Sequence, residues 1–122
     1  EAGPSAEEPG RAAAPGGALR GIGAGGRATG RVKRVISLAE SIAVGRGDVV
    51  VARAVTPALA VFVTGCAALV SETGGALDHG ASLARELGIA CVVGCRDALA
   101  RLDDGMIVTV DGDAGFVVVD EG

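Results

Sequence analysis

Glu72-Thr-Gly-Gly-Ala-Leu-Asp-His-Gly-Ala-Ser-Leu-Ala-Arg-Glu-Leu-Gly-Ile-Ala-Cys-Val-Val-Gly94 sets the chain's single histidine, His79, between a glycine pair and a run of helical periodicity. Gly74 and Gly75 can take backbone angles closed to other residues and bring the chain close to a ligand. Stepped at about 100° per residue from His79, residues Ala81, Leu83, Ala84 and Leu87 fall on one arc. Ser82, Arg85 and Glu86 fall on the other. The pattern predicts a helix starting at His79, with the imidazole at the edge of the polar face. In that first turn the free backbone N–H groups and the positive end of the helix dipole favour an anion. Gly88 stands where a left-handed residue commonly ends a helix. Imidazole titrates near pH 6.5, so at cellular pH one ring nitrogen keeps a lone pair for attack on phosphorus. A phosphoryl group placed there would set a dianion beside the helix N-terminus, which offsets part of the cost of holding the charge. A satisfied structural histidine is the competing reading; the glycine pair and the polar-edge position favour a histidine that meets an anion.

The rest of the composition narrows the alternatives. The chain has 122 residues, enough for one small domain. Its Val, Ala, Leu and Ile content can bury a core despite two Phe and no Trp or Tyr. No apolar run near the length of a membrane span is free of charges and turn signals, and no secretory signal is recognisable. The chain opens on Glu rather than Met, so a piece of a larger polypeptide, resident in the cytoplasm, is expected. A net charge of −4 and the lack of interleaved aromatics give nucleic-acid binding little support. Charge is unevenly spread. Arg20, Arg27, Arg31, Lys33, Arg34 and Arg46 form an early basic stretch, and Asp97, Asp103, Asp104, Asp111, Asp113, Asp120 and Glu121 an acidic end. These read as two mutually compensating solvated faces or as a docking surface for a partner domain. Cys66, Cys91 and Cys95 are expected to be reduced, and with one histidine to help them they make a poor zinc site.

Residues 1–18, rich in Gly, Ala, Pro and Glu, read as a flexible linker ahead of a domain over 19–122. The glycines Gly21, Gly23, Gly25 and Gly26 lack the lysine and helix of a phosphate loop and read as an entry into an alternating strand that ends at Ile36. Strands are predicted over 48–52, 67–70, 89–93, 106–110 and 116–119, the last two joined by an Asp111-Gly112 turn. Thr56-Pro57 opens a short turn or helix leading to Val63, and 97–102 reads as a short helix. Strands separated in places by helices and in places by hairpins give a mixed α/β domain.

The Glu72–Gly94 run resembles the signature of the mobile, or swivelling, phosphohistidine domain of phosphoenolpyruvate-utilising enzymes: pyruvate phosphate dikinase, phosphoenolpyruvate synthase, rifampin phosphotransferase and the first enzyme of the sugar phosphotransferase system. The resemblance extends over about residues 19–119. It implies a compact α/β, more specifically β/β/α, swivelling domain with mixed sheets and a helix starting at the histidine. It also implies that His79 carries a phosphoryl group between two sites. The donor would be ATP at an ATP-grasp domain, or phosphoenolpyruvate, and an acceptor-binding domain would hold the second site. ATP and Mg2+ would belong to the partner domain, with no cofactor or metal held by this one. The His79-Gly80-Ala81 order leans toward the synthase and rifampin phosphotransferase members.

Around His79, Thr73, Gly74, Gly75, Gly80, Ser82 and Arg85 are the candidate phosphate-stabilising groups. Thr73 can donate a hydroxyl to a phosphate or cap the loop. Ser82 can be a hydrogen-bond partner or idle. Arg85 can reach back to the phosphate, form a salt bridge or dock a partner. Glu86 reads as a solvated or paired charge. Asp78 departs from the Ser, Thr or Cys that most relatives place before the histidine. It can cap the helix and raise the basicity of His79, and it would also repel a phosphoryl group. That departure motivates an alternative function, a catalytically silent interaction or regulatory module that retains the fold. Ala90 replaces the usual proline after Gly-Ile, which should loosen that turn. A hydrolase is disfavoured, because no Gly-x-Ser-x-Gly pattern occurs.

Overall fold

In the computed structural model of the chain, residues 18–74 and 79–120 are described, with Ser41, His79 and Gly80 described by their backbone alone. The linker expected over 1–18 therefore lies, apart from Ala18, outside the described residues, as do Gly75 and Asp78.

Among the described residues eight strands form one sheet: β1 (Leu19–Arg20), β2 (Ile22–Gly23), β3 (Arg27–Val35), β4 (Asp48–Ala52), β5 (Ala68–Ser71), β6 (Ala90–Val93), β7 (Ile107–Asp111) and β8 (Phe116–Val119). The spatial order is β1-β8-β7-β3-β4-β5-β6-β2. Strands β3, β4, β5 and β6 are mutually parallel, so their carboxyl ends share one edge. The remaining pairings are antiparallel. Three α-helices follow the parallel strands: α1 (Pro57–Phe62) after β4, α2 (His79–Leu87) after β5 and α3 (Ala98–Arg101) after β6. A 3-10 helix, Leu38–Ala43, follows β3 and was not anticipated from the sequence. The mixed α/β architecture is the one expected.

Both faces of the central strands are buried, which is why Val49-Val-Val-Ala52 reads as a continuous apolar run rather than an alternating one. Val50 and Ala52 join Leu69, Cys91 and Val93 in a cluster roofed by Leu59 and Ala60 of α1 and by Ala81 and Ala84 of α2. Val49 and Val51 point the other way, into a second cluster with Val70, Val92, Val108, Val110 and Val117, completed by Ala98 and Leu102 from α3 and its end. Each fully buried valine contributes on the order of 1.5–3 kcal/mol, so these two clusters rather than local propensity hold the short helices.

β1 and β2 occupy opposite ends of the sheet yet are separated by Gly21 alone. The sheet is thereby drawn closed, and the segment 21–26 is the seam. Its bonds alternate between β6 and the β7–β8 hairpin: Ala24 N–H donates to the Cys91 carbonyl (2.9 Å), Gly25 N–H to that of Gly112 (2.8 Å), and Cys91 N–H to that of Gly25 (3.1 Å). The glycines here are required by close approach. A Cβ on Gly21 would lie 2.6 Å from the Val93 carbonyl oxygen, and one on Gly23 would overlap the Gly112 carbonyl. The sequence expectation of a glycine-rich strand entry thus becomes a backbone crossing. The β7–β8 loop also differs from expectation. It spans 112–115, with Gly115 at φ +87° and its N–H donating to the Asp111 carbonyl at 2.8 Å, and is longer than an Asp111-Gly112 turn.

Candidate phosphohistidine site

The site is built at the common carboxyl edge of β4, β5 and β6, the edge at which α/β sheets receive ligands. β5 lies between the other two, and its exit is pinned to both neighbours. On the β4 side, Glu72 N–H donates to the Ala52 carbonyl and Thr73 N–H to the Arg53 carbonyl, each at 3.0 Å. On the β6 side, Gly94 N–H donates to the Thr73 carbonyl at 3.1 Å and Cys95 N–H to the Ser71 carbonyl at 2.9 Å. Gly74 then turns with φ +108°, a conformation that a Cβ would strain. Its carbonyl oxygen stands 2.9 Å from where a Cβ on Gly94 would be, so that crossing also needs glycine.

Ser71 is a polar residue fully buried in the core, and it fastens this loop. Its hydroxyl donates to the Thr73 carbonyl at 2.8 Å and lies 3.4 Å from that of Arg53. Glu72 contributes from the other direction: Oε2 accepts from Leu99 N–H at 2.8 Å, tying the loop to α3. Neither role was read from the sequence. A hydroxyl ending the apolar run Ala68-Leu-Val-Ser71 was the available signal, since a buried polar group needs a partner.

Across the segment 75–78, the chain resumes as α2 with His79 as its first residue. Ala81 and Ala84 are fully buried against the sheet, Leu83 is half-buried, and Ser82, Arg85 and Glu86 are exposed, in keeping with the helical periodicity of the sequence. Leu87 departs from its arc and is 41% exposed. Gly88 closes the helix with φ +71°, and Ile89 N–H donates back to the Ala84 carbonyl at 3.0 Å, the six-to-one bond of a Schellman cap.

Thr73, Gly74, His79, Gly80 and Ser82 are thus brought to one end of the domain. Thr73 is exposed, and its backbone is fully engaged in holding the loop. Arg85 lies about 9 Å further along the helix axis. It borders a separate cleft of about 240 Å³, with Gly25 and Gly26 of the seam and Gly88 of the cap. Ala90, at the position of the usual proline, is the first residue of β6, buried and paired with Ala68. The cysteines are reduced and buried, and burial pushes the thiols of Cys66 and Cys95 up to about 11. Among the described residues no cluster of His, Cys, Asp and Glu could hold a metal ion, and no helix is long and apolar enough to cross a membrane.

A closed α/β domain that presents a helix-initial histidine at the carboxyl edge of parallel strands defines a class, and comparison with known proteins gives it a family. Residues 44–115 match the mobile domain of PEP-utilising enzymes. The chain is 43% identical over 100 residues to a probable phosphoenolpyruvate synthase of Archaeoglobus fulgidus, covering 81% of this chain and 13% of that protein. It is 38% identical over 104 residues to a rifampicin phosphotransferase of a Streptomyces species, covering 84% and 12%. A solution structure of Enzyme I (nEIt) superposes with a TM-score of 0.59 at 32% identity over 66% of this chain and 34% of that one. Thermococcus kodakaraensis aconitase X, at 21% identity and a TM-score of 0.66 over 87% of this chain and 100% of that one, shares the fold alone. The chain belongs to the mobile-domain family of PEP-utilising enzymes. It spans 12–13% of the length of the synthases it matches, so it corresponds to a small part of much larger proteins.

Proposed function

We propose that the chain is the phosphoryl-carrier domain of a multidomain phosphotransferase or dikinase, with His79 as the residue that is phosphorylated. The observation that carries this reading is the position of His79 at the start of α2, at the edge where β4, β5 and β6 end, in a chain of this family. In the forward step a ring nitrogen attacks the donor's phosphorus. The P–O bond to the leaving group breaks with its electron pair going to the leaving oxygen, and the ring's other N–H can release its proton. In the return step an acceptor oxygen attacks the same phosphorus, the P–N bond breaks with its electron pair going to the ring nitrogen, and the ring takes back a proton to restore the neutral imidazole.

The surrounding residues favour the charged intermediate. The first turn of α2 offers backbone N–H groups and the positive dipole end to a dianion, while Thr73, Gly74, Gly75, Gly80 and Ser82 are the groups proposed to surround it. Arg85 is the more distant candidate, acting on the phosphate only by reaching back along the helix. Asp78 modulates transfer, raising the basicity of the imidazole while repelling the incoming phosphoryl group. The donor is held elsewhere, by an ATP-grasp domain with ATP and Mg2+ or by a phosphoenolpyruvate site. That domain supplies the cationic stabilisation of the transferred group, and an acceptor domain takes the group on.

The test is incubation of the polypeptide carrying this domain with radiolabelled ATP and magnesium, and in parallel with labelled phosphoenolpyruvate, followed by assay for acid-labile label. Label in the parent and none in His79→Ala is the expected result; equal label in both rejects the assignment. Asp78→Ser should accelerate labelling. No effect of that change, together with an unlabelled parent, would favour the silent-module alternative that Asp78 motivates.

A further inference from the structure

The loop that leads to His79 leaves β5 between two arginines that the sequence pattern did not single out. Arg53 is the first residue past β4 and Arg96 the third past β6, and both are exposed. Backbone bonds fix how close each lies to the loop. The Arg53 carbonyl accepts from Thr73 N–H at 3.0 Å, with the Ser71 hydroxyl 3.4 Å away. On the other flank Cys95 N–H donates to the Ser71 carbonyl at 2.9 Å, and the next residue, Arg96, donates its own N–H to the Gly94 carbonyl at 3.1 Å. Since β5 is paired with both β4 and β6, the strands that carry the two arginines run two spacings apart, roughly 10 Å. Long side chains rooted on either side of the Thr73-Gly74 turn can converge over it.

The charges at this edge call for such a pair. Glu72 and Asp97 both lie close enough to the Cys95 sulfur to raise its thiol, and Asp78 immediately precedes the histidine in sequence. One Glu72 oxygen is engaged by Leu99 N–H. Among the described residues no ion pair or side-chain hydrogen bond occupies the guanidinium of Arg53 or of Arg96. A dianion on His79 would meet these carboxylates with the N-terminus of α2 as its offset, and that end carries only about half an elementary charge. Arg85 is a poor counter-ion, because it stands about 9 Å along the helix axis and beside a different cleft. Two guanidiniums, always charged and shaped to fork onto phosphate oxygens, supply what is missing.

Resting on the carrier reading above, we infer that Arg53 and Arg96 form the cationic clamp of the phosphohistidine. They bind the phosphoryl oxygens from the two flanks of the Thr73-Gly74 turn, and the group they hold is the one carried on His79 rather than the remainder of a donor. An opposite charge within about 4–6 Å lowers an ionisation by roughly one to three pH units, so the clamp keeps the phosphoryl group fully ionised. The bonds that shape the loop come from main-chain atoms of Arg53 and Arg96, so changing the side chains leaves them in place.

The test uses the whole polypeptide, phosphorylated on His79 by phosphoramidate, a small donor that needs no partner domain. The phosphorus NMR shift of the phosphohistidine is followed against pH. With Arg53→Gln and Arg96→Gln combined, the midpoint should rise by at least about one pH unit, and lysine at both positions should restore part of the difference. Arg101→Gln, an exposed change on α3, should leave the midpoint where it was. An unchanged midpoint in the double variant would overturn the clamp, even if labelling by ATP or phosphoenolpyruvate falls, since the arginines would then serve the donor or a partner. So would an equal rise with Arg101→Gln, which is a net-charge effect, or no restoration by lysine, which is lost packing. Should the double variant misfold, each single glutamine variant gives the same reading, with an expected rise of about half a pH unit. A parent that takes no phosphoryl group on His79 from any of the three donors overturns the carrier reading itself, which keeps the two failures apart.

Discussion

The Cys95 sulfur sits in the inner cluster immediately behind the site loop, and its thiol is pushed up to about 11, first by burial and then by the nearby carboxylates of Glu72 and Asp97. Cys66 is raised to about 11 as well, again by burial. Thiolate is the reactive species, so the folded chain should resist iodoacetamide at pH 8, while the urea-unfolded chain is modified at all three cysteines. Rapid labelling of the native protein would show these packing assignments to be wrong. The sequence made such residues legible where the determinant was local. Cysteines in apolar runs, Gly88 as a left-handed cap and Thr56 before Pro57 as a helix start all needed only their neighbours. Leu87 was misread for the complementary reason: an angle on a helical wheel does not say where the underlying surface stops. Ser71 and Glu72 went unassigned because their partners, the Arg53 and Thr73 carbonyls and the Leu99 N–H, are fixed by the fold.

At the scale of elements, runs with their own period or composition were readable: β4 and β8 fall where the sequence put them, and β5, β6 and β7 within a residue, whereas β1 and β2 were read as turns. The seam was not, because its partners are remote; Gly26 and the Asp113 carboxylate that accepts from its N–H are 87 positions apart. Its stringency is testable. A Cβ on Gly112 would overlap the Gly25 carbonyl, whereas one on Gly65 meets nothing within 4 Å. Gly112→Ala should therefore cost about 3 kcal/mol or more in urea denaturation, and Gly65→Ala should stay within about 1 kcal/mol of the parent. Equal midpoints would dismiss the crossing. The 3-10 helix has a pH signature of its own. Backbone donors from Ser37 and Ile36 hold the Glu40 carboxyl below its ordinary value of 4.5. A depressed folded value means that this stabilisation is complete above 4.5 and is lost as pH falls through the lower value. Amide-exchange protection at Ile36 and Ser37 should drop in that acid window, and Glu40→Gln should remove the dependence.

For the molecule as a whole, the closed sheet gives a rigid body with one chemically distinctive edge. Its parallel strands bring together a glycine turn, a helix-initial histidine and two exposed arginines that are scattered from residue 53 to residue 96 in the sequence. The histidine end of this arrangement was legible, since glycine pair, imidazole and amphipathic helix are contiguous. The arginines were not, because only the spatial order β4-β5-β6 sets them on either side of the turn. Function at this scale is tested most directly by locating the phosphoryl group. After brief incubation of the whole polypeptide with donor, mass spectrometry of its peptides at neutral pH should find the adduct on the peptide containing His79, stable to alkali and lost in acid. An adduct on a serine, threonine or aspartate instead, or none on any peptide of this domain, would contradict the account.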